Sequence, residues 1–371
     1  MQRILALSVL GVLLAVLAFA GANLSGGTGT AEAATWNTTT VRWGPYTIPA
    51  GGEQKNFLTT DNCNGLGGIL LQLLGGVTCV NRSVPRPCSG TCYIGSITPN
   101  LVYADGSTAN FDTGPMLHHM VLFNRSRNDP TCPSNLFGGP IQQMGALLGG
   151  NERVFASGNE RTISDVTSQN YGYKLNPNDK FMLITDLMNM SSSSKTVYLD
   201  FTFKWTTSGV TTVRPIWFDI DQCQDSELSM GSGYSDTHKD WKATFSGQIV
   251  AIGGHGHGEA ISSSLQNVNT GVYYCTSVAG YHEMSMERPG PGAGTTGHPS
   301  NHNVHMDGDP IYMDPRTMGG MMAMDVVESQ TMCYPTSGNS FSSGQKLRIH
   351  QQYNQMESDP DNMGIMVAWV R

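Results

Sequence analysis

The sequence has few charged residues, and basic ones are outnumbered by acidic ones. Asp, Glu, Lys and Arg make up 13% of the 371 residues, about half of the usual ~25%. The 21 basic residues against 29 acidic ones give a formal net charge of −8. Because nothing supplies the basic surface that phosphate binding requires, a nucleic-acid partner is not expected.

Long helical patterns are also scarce, whereas apolar residues that alternate with polar ones recur along the whole chain. The 44 glycines and 18 prolines fall largely between these alternating segments and indicate many turns. The sequence therefore predicts an all-β protein built from β-sandwiches. The strand-like segments are 41–48, 116–123, 181–187, 196–205, 211–220, 245–252, 271–278, 346–353 and 363–370.

A polar turn, Thr206-Thr-Ser-Gly209, follows the alternating strand that ends at Trp205. It is the best candidate for a domain boundary, which we place near residue 212. The prediction is an N-terminal β-sandwich domain over 35–212 and a C-terminal β-sandwich domain over 213–371.

The first segment, 1–34, has no charge between Ile4 and Phe19 and continues in small residues, as a secretion signal does. Of two Ala-x-Ala cleavage sites we favour Ala31-Glu-Ala33, because strand-like residues begin at Trp36. The alternative is an uncleaved membrane anchor, although the apolar run is short for a membrane span. We predict a signal peptide, a secreted and extracytoplasmic location, and no stable membrane span after cleavage.

Eight cysteines in an exported chain indicate disulfide bonds. Cys275 and Cys333 stand alone in the last third of the chain and are predicted to pair with each other if the two domains fold separately. The spacing of Cys88 and Cys92 could suggest a metal site, but no second cysteine pair lies at the distance of a zinc ribbon. A disulfide is the better interpretation.

Residues 281–325 are rich in Gly, Pro, His and Met and do not resemble packed structure. Thioether and imidazole groups suit Cu(I), so this insertion is a candidate copper-collecting element. The alternative is a long, poorly ordered insertion whose methionines pack against the domain.

Two histidine pairs are the candidate metal-binding residues of the chain. His255 and His257 are two apart at the end of a strand, so both project from one face and can hold one metal ion. The alternative is a glycine-rich loop with two hydrogen-bonded histidines. His118 and His119 are neighbours within a strand and face opposite ways, unless a bulge or a strand end turns them to one side. A buried histidine beside an exposed one would give the same pattern.

These blocks, in this order, resemble a known family. A Leu117-His-His-Met-Val-Leu-Phe123 strand precedes the His-Gly-His pair, and Asp361-Asn-Met-Gly-Ile-Met-Val367 follows near the end. The set resembles the ascorbate-dependent type II copper monooxygenases, of the peptidylglycine α-hydroxylating and dopamine β types. Stress-induced nodulin-like proteins are similar in the same places and are candidates for the closer branch.

The resemblance implies two tandem antiparallel β-sandwich domains of jelly-roll type, each with one copper ion, facing across a solvent-filled cleft. His255, His257 and Met363 match the ligands of the copper that binds oxygen, where a thioether favours Cu(I). His118 and His119 match two of the three histidines of the electron-storing copper. The implied cofactors are one or two copper ions, with ascorbate or another reductant.

The sequence departs from this pattern in the strand that carries the third histidine of the electron-storing site. The matching stretch, 181–189, contains no histidine. Met188 or Asp186 could complete the site, or the two histidines could hold Cu(I) alone in a near-linear arrangement. The positions that bind a peptide carboxylate in the peptide-hydroxylating branch are Gly253 and Val367 here. A peptide with a free carboxylate is therefore not an expected substrate.

Three functions are compatible with these observations. We favour a secreted copper monooxygenase-like protein that hydroxylates a small organic substrate with O2. The alternative is a non-catalytic copper-binding or copper-buffering protein on the same fold, whose only partner is copper. A third hypothesis is a structural sandwich in which the histidines only satisfy hydrogen bonds.

Overall fold

The computed structural model describes most of the chain after residue 33. The described residues are 34–52, 55–61, 63, 77–132, 150–221, 226, 228–282, 326–356 and 358–371. The predicted signal peptide and nearly all of the insertion at 281–325 lie outside them. Among the described residues, no helix is long and apolar enough to cross a membrane.

Strands account for nearly all the regular structure of the described residues, which confirms the predicted all-β, sandwich-type fold. Two short 3₁₀ helices, Phe111–Thr113 and Thr167–Gln169, are the helical segments in this part of the chain. The first ten strands are Asn37–Ile48 (β1), Lys55–Thr60 (β2), Thr78–Asn81 (β3), Cys92–Val102 (β4), Pro115–Asn128 (β5), Asn151–Ser157 (β6), Ser164–Asp165 (β7), Tyr171–Leu175 (β8), Phe181–Asn189 (β9) and Lys195–Thr206 (β10). The remaining strands are Thr211–Asp219 (β11), Leu228–Met230 (β12), Gly233–Lys242 (β13), Gly247–Gly256 (β14), Ala260–Asn267 (β15), Val272–His282 (β16), Val326–Gln330 (β17), Met332–Cys333 (β18), Ser340–Phe341 (β19), Lys346–Gln355 (β20), Asp359–Asn362 (β21) and Gly364–Val370 (β22).

One long sheet forms the centre of the fold. Its ten described strands run in the order β1-β10-β4-β8-β11-β22-β14-β18, with β7 added on β4 and β19 on β14. A five-stranded sheet, β3-β2-β9-β5-β6, carries the first histidine pair, and another, β13-β20-β15-β16-β17, lies in the second half of the chain. The strands β12 and β21 form a small separate sheet.

The buried apolar side chains form two large clusters. The first takes most members from 41–213 and includes Trp43 and Phe201, whose ring centroids are 4.3 Å apart. The second draws on 216–370 and includes Phe218 and Tyr353. The core thus divides close to residue 212, while the long sheet continues across this point because β8 pairs in parallel with β11. The division into domains 35–212 and 213–371 stays a prediction.

Disulfide bonds crosslink both halves of the described chain. Cys275 and Cys333, the pair predicted from their isolation, are joined by a disulfide that ties β16 to β18. It closes a separation of 58 residues, for which the chain-entropy model gives about 4 kcal/mol of stabilisation. Cys88 and Cys92 also form a disulfide, as does the pair Cys63 and Cys79.

A buried carboxyl group lies in the first half of the molecule. The hydroxyl of Tyr173 donates to Oε2 of Glu152 over 2.6 Å and accepts from the amide of Asn124 over 2.7 Å. The pKa of Glu152 is raised to about 7, mainly by burial and in smaller part by the nearby carboxylate of Asp129, against the opposing effects of the Tyr173 hydrogen bond and Arg127. The folded protein therefore holds a proton on Glu152 at pH values where the unfolded chain has lost it.

We expect Glu152→Gln to change how stability depends on pH. A carboxyl pKa raised from 4.5 to about 7 contributes stability below pH 4.5 that is lost as pH rises through 7. Glutamine keeps the acceptor for Tyr173 without the buried charge. The variant should be more stable than the wild type at pH 8, by up to about 3 kcal/mol, with the gap closing towards pH 5. Denaturant unfolding at several pH values tests this, and parallel profiles would contradict it.

Candidate metal centre

A β-bulge turns His118 and His119 to the same side of their strand. On β5, Leu117 pairs with Leu187 of β9 and His119 pairs with Asp186, so that His118 is the extra residue. The ring centroids of the two histidines are 4.0 Å apart. The bulge supplies the local irregularity that a shared metal requires of adjacent strand residues.

The second pair lies where β14 ends. His255 pairs with Ile365 of β22, Gly256 pairs with Gly364, and His257 follows immediately. A Cβ atom at Gly256 would lie 2.9 Å from the Cβ of Ala260, so the close packing of this strand end requires glycine. The glycine between the histidines thus lets the strand end pack tightly while both rings project towards β5.

The two histidine pairs meet in one cluster. Nε2 of His119 lies 2.5 Å from Nε2 of His257, and these two rings stack with centroids 4.7 Å apart. The rings of His118 and His257 are 5.0 Å apart, and those of His119 and His255 are 5.2 Å apart. One ligand atom from each of His118, His119 and His257 can be chosen so that all three lie within 4.8 Å of one another.

This arrangement differs from the one that the family resemblance implies. Two copper sites facing across a solvent-filled cleft would keep the pairs apart, whereas here they share one cluster. The two pairs approach each other beside Gly158. A Cβ atom at Gly158 would lie 2.7 Å from the carbonyl oxygen of His118 and 2.8 Å from Cε1 of His255.

Two buried carboxylates hold the Nδ1 side of three of these histidines. Oδ2 of Asp186 lies 3.2 Å from Nδ1 of His118 and 3.5 Å from Nδ1 of His119. Oε1 of Glu160 lies 3.0 Å from Nδ1 of His255 and also accepts a hydrogen bond from the backbone of Gly158. A carboxylate on Nδ1 fixes the tautomer and leaves Nε2 to bind a metal.

These contacts bear on the residues that were considered as a third ligand of the first histidine pair. Asp186 lies against the two Nδ1 atoms, where it orients the rings. Met188 lies two residues further along β9, opposite Met116 of β5. Metal binding by any of these side chains stays a prediction.

Met363 is placed at the same strand end as His257. It immediately precedes Gly364, the partner of Gly256, and its side chain is buried beside Trp217 and Ile365. Sequence analysis missed the residue that connects Met363 to His257. The hydroxyl of Tyr353 accepts from the backbone N–H of His257 over 2.9 Å and donates to the carbonyl of Met363 over 2.6 Å.

Glu160 also has no signal in the sequence. It lies in a turn after β6, 95 residues from His255, and belongs to no motif that could connect the two. In the sequence, Tyr353 cannot be told apart from the other apolar residues of the alternating strand β20. In the structure its ring is fully buried, as theirs are. Burial raises the pKa of Tyr353, so its hydroxyl stays protonated and can donate.

The chemistry of the cluster fits a copper ion. Burial, followed by the nearby His118 and His255, holds the pKa of His119 well below its usual range, so this imidazole is neutral at pH 7. Nε2 of His255 is shielded from solvent and has no hydrogen-bond partner among the described residues. Imidazole nitrogens with carboxylates behind the rings form a donor set that suits copper.

A cavity of about 20 Å³ adjoins His255. Its lining includes Thr162 and Ser164, whose hydroxyl oxygens are buried without hydrogen-bond partners among the described residues. The volume is enough for about one water molecule, and the hydroxyls supply the polar partners that a buried water needs. The inner side of the histidine cluster therefore has room for a single water beside His255.

Two curated proteins are similar to parts of this chain. Over 225 residues the chain is 28% identical to the probable copper-dependent oxygenase M1 of Phoma sp., a match that covers 58% of this chain and 50% of that protein. Over 138 residues it is 31% identical to the probable copper-dependent oxygenase clz3 of Cochliobolus lunatus, covering 36% of this chain and 40% of the relative. The matches thus span half or less of each relative. No family model matches the chain.

These similarities support a copper oxygenase-like protein at a coarse level. They agree with the chemistry of the histidine cluster, and they support copper as the cofactor. They do not identify the protein as a member of the peptidylglycine, dopamine or nodulin-like branch.

We expect Asp186→Asn to weaken copper binding about 10- to 100-fold, because removing an orienting carboxylate commonly costs that much metal affinity. Competition with a chromophoric Cu(I) chelator measures the change. The control is Asp200→Asn, which removes a carboxylate paired with Arg42 on the exposed face of β10. Equal affinities in both variants would contradict an orienting role for Asp186.

Tyr353→Phe should lower both stability and copper affinity. The change leaves the carbonyl of Met363 and the N–H of His257 unpaired, at a cost of about 1–3 kcal/mol. Tyr274→Phe is a matched control, since the Tyr274 hydroxyl also accepts from one group, Asn267, and donates to a carbonyl, that of Ser340. We expect both variants to lose a similar amount of stability. Copper affinity should fall only in Tyr353→Phe. Equal copper affinities would contradict it.

Proposed function

We propose that this protein is a copper-dependent oxygenase whose copper is bound by His118, His119 and His257. The observation that carries the proposal is that ligand atoms of these three side chains can lie within 4.8 Å of one another. Similarity to proteins named as probable copper-dependent oxygenases supports the same conclusion. Bound copper would supply one-electron redox chemistry and the activation of O2.

The protein's own residues set the conditions for that chemistry. Asp186 lies against Nδ1 of both His118 and His119, and Glu160 lies against Nδ1 of His255. The low pKa of His119 keeps a lone pair available for a metal. Met363 lies at the same strand end, where a thioether would favour the reduced ion.

We propose hydroxylation of a C–H bond in a small organic molecule as the reaction. The balanced change is R–H + O2 + 2 electrons + 2 protons giving R–OH + H2O, with ascorbate or a similar reductant as the electron source. The uncharged residues Gly253 and Val367 give no anchor for a substrate carboxylate. Both line the small cavity beside His255, together with other mostly apolar residues.

We also propose that the protein is exported from the cytoplasm. The three disulfides in the described part of the chain support this, because such bonds persist in oxidising compartments. The uncharged apolar run near the start of the sequence also supports export, because secretion signals have such a run.

Copper binding without catalysis is a second candidate function. It is favoured by the absence of a histidine on β9. In the family that the sequence resembles, this strand supplies the third histidine of the electron-storing copper. The Met- and His-rich residues 281–325 would then serve to collect copper. Ascorbate-dependent oxygen consumption by copper-loaded protein separates the two functions.

The copper content of variants tests the shared centre. If both histidine pairs hold one ion, His118→Ala and His257→Ala should each weaken or abolish binding at the same site, and the wild type should bind one ion with high affinity at this centre. Elemental analysis after dialysis against a competing chelator measures this. Two high-affinity ions, one lost in each variant, would instead indicate two separate sites. No copper bound at all would contradict the proposed function.

A further inference from the structure

A third pair of histidines lies on a different sheet from the copper cluster. His238 of β13 and His350 of β20 are directly opposite each other in the antiparallel ladder. Their ring centroids are 5.7 Å apart. The neighbouring Gln351 is fully buried, so strand alternation places His350, with His238, on the outer face of the sheet.

A carboxylate orients this pair as well. Oδ1 of Asp236 lies 3.1 Å from Nδ1 of His350, and its other oxygen accepts from the amide of Gln352. Nε2 of His350 is then the free ring nitrogen. It is shielded from solvent and has no hydrogen-bond partner within the described part of the chain.

The spacing of the rings fits a bridging metal. Imidazole nitrogens bind a divalent transition metal at about 2.0–2.1 Å, so two rings on one ion have centroids about 5–6.5 Å apart, depending on the angle at the metal. The observed 5.7 Å lies within that range. Directly opposite strand residues supply this spacing because their Cβ atoms are close together.

The surrounding charges also permit a cation. The nearest cationic side chain along β20 is Arg348, which pairs with Asp240 at 2.6 Å, and Lys346 lies 3.4 Å from the same carboxylate. Asp236 adds a negative charge beside His350. His238 is exposed, so an ion could reach the pair from solvent.

We propose that His238 and His350, oriented by Asp236, form a second metal site that binds a divalent transition-metal ion such as Zn²⁺ or Cu²⁺. The ion would clamp β13, which lies at the edge of its five-stranded sheet, to its neighbour β20. The site is separate from the proposed oxygenase centre, because the two share no metal-binding residue.

Zinc binding to the full-length protein tests the proposal. Equilibrium dialysis should show one Zn²⁺ fewer per chain in both His238→Gln and His350→Ala than in the wild type. Because His238 is exposed, its variant should fold normally, which circular dichroism verifies. Other zinc ions, bound elsewhere in the chain, cancel in this difference. An unchanged zinc count in the folded His238→Gln variant overturns the proposal.

The orienting carboxylate gives a second, graded test. Asp236→Asn should weaken zinc binding at the pair about 10- to 100-fold, whereas Asp240→Asn, on the same strand and face, should change it less than threefold. Anomalous scattering from a zinc-soaked crystal should place a peak between the two rings. Zinc peaks only at other positions would overturn the site, whatever the outcome for copper and oxygenase activity.

Discussion

The close approach of the His118 carbonyl and the His255 ring to Gly158 is the contact on which the histidine cluster depends. Only a residue without a side chain lets the His118 carbonyl and the His255 ring come so near to one backbone. The same glycine donates its N–H to Glu160, which in turn holds His255. A larger residue at this position would force the His118 backbone, the His255 ring or the Glu160 carboxylate to shift.

Buried charge explains why the rings are held so firmly. Asp186 and Glu160 are almost entirely removed from water, and a buried carboxylate is costly unless it is paired and hydrogen-bonded. Their partners are the Nδ1 atoms of histidines that face one another. A bound cation would complete this arrangement, since its charge offsets the carboxylates through the rings.

Local pattern was sufficient for the features that depend on neighbours in the sequence. The all-β class followed from period-2 alternation. For the adjacent His118 and His119 the sequence left open whether a bulge turns them to one side, and β5 contains that bulge. The pairing of Cys275 with Cys333 followed from their isolation. In contrast, Glu160 and Tyr353 act across 95 and 96 residues, respectively. No spacing rule connects such positions, because only the folded sheets bring them together.

The long sheet joins the strand of the second histidine pair to the first half of the chain. Strand β22 lies between β11 and β14, and β11 pairs with β8 of the first half at Thr211 and Tyr171. Backbone hydrogen bonds therefore run without interruption from the first half of the chain to the strand that carries His255. The first histidine pair lies on β5 of a separate five-stranded sheet, so the distance between the pairs depends on how that sheet packs beside Gly158. The approach of the two histidine pairs is thus a matter of how two separate sheets pack against each other.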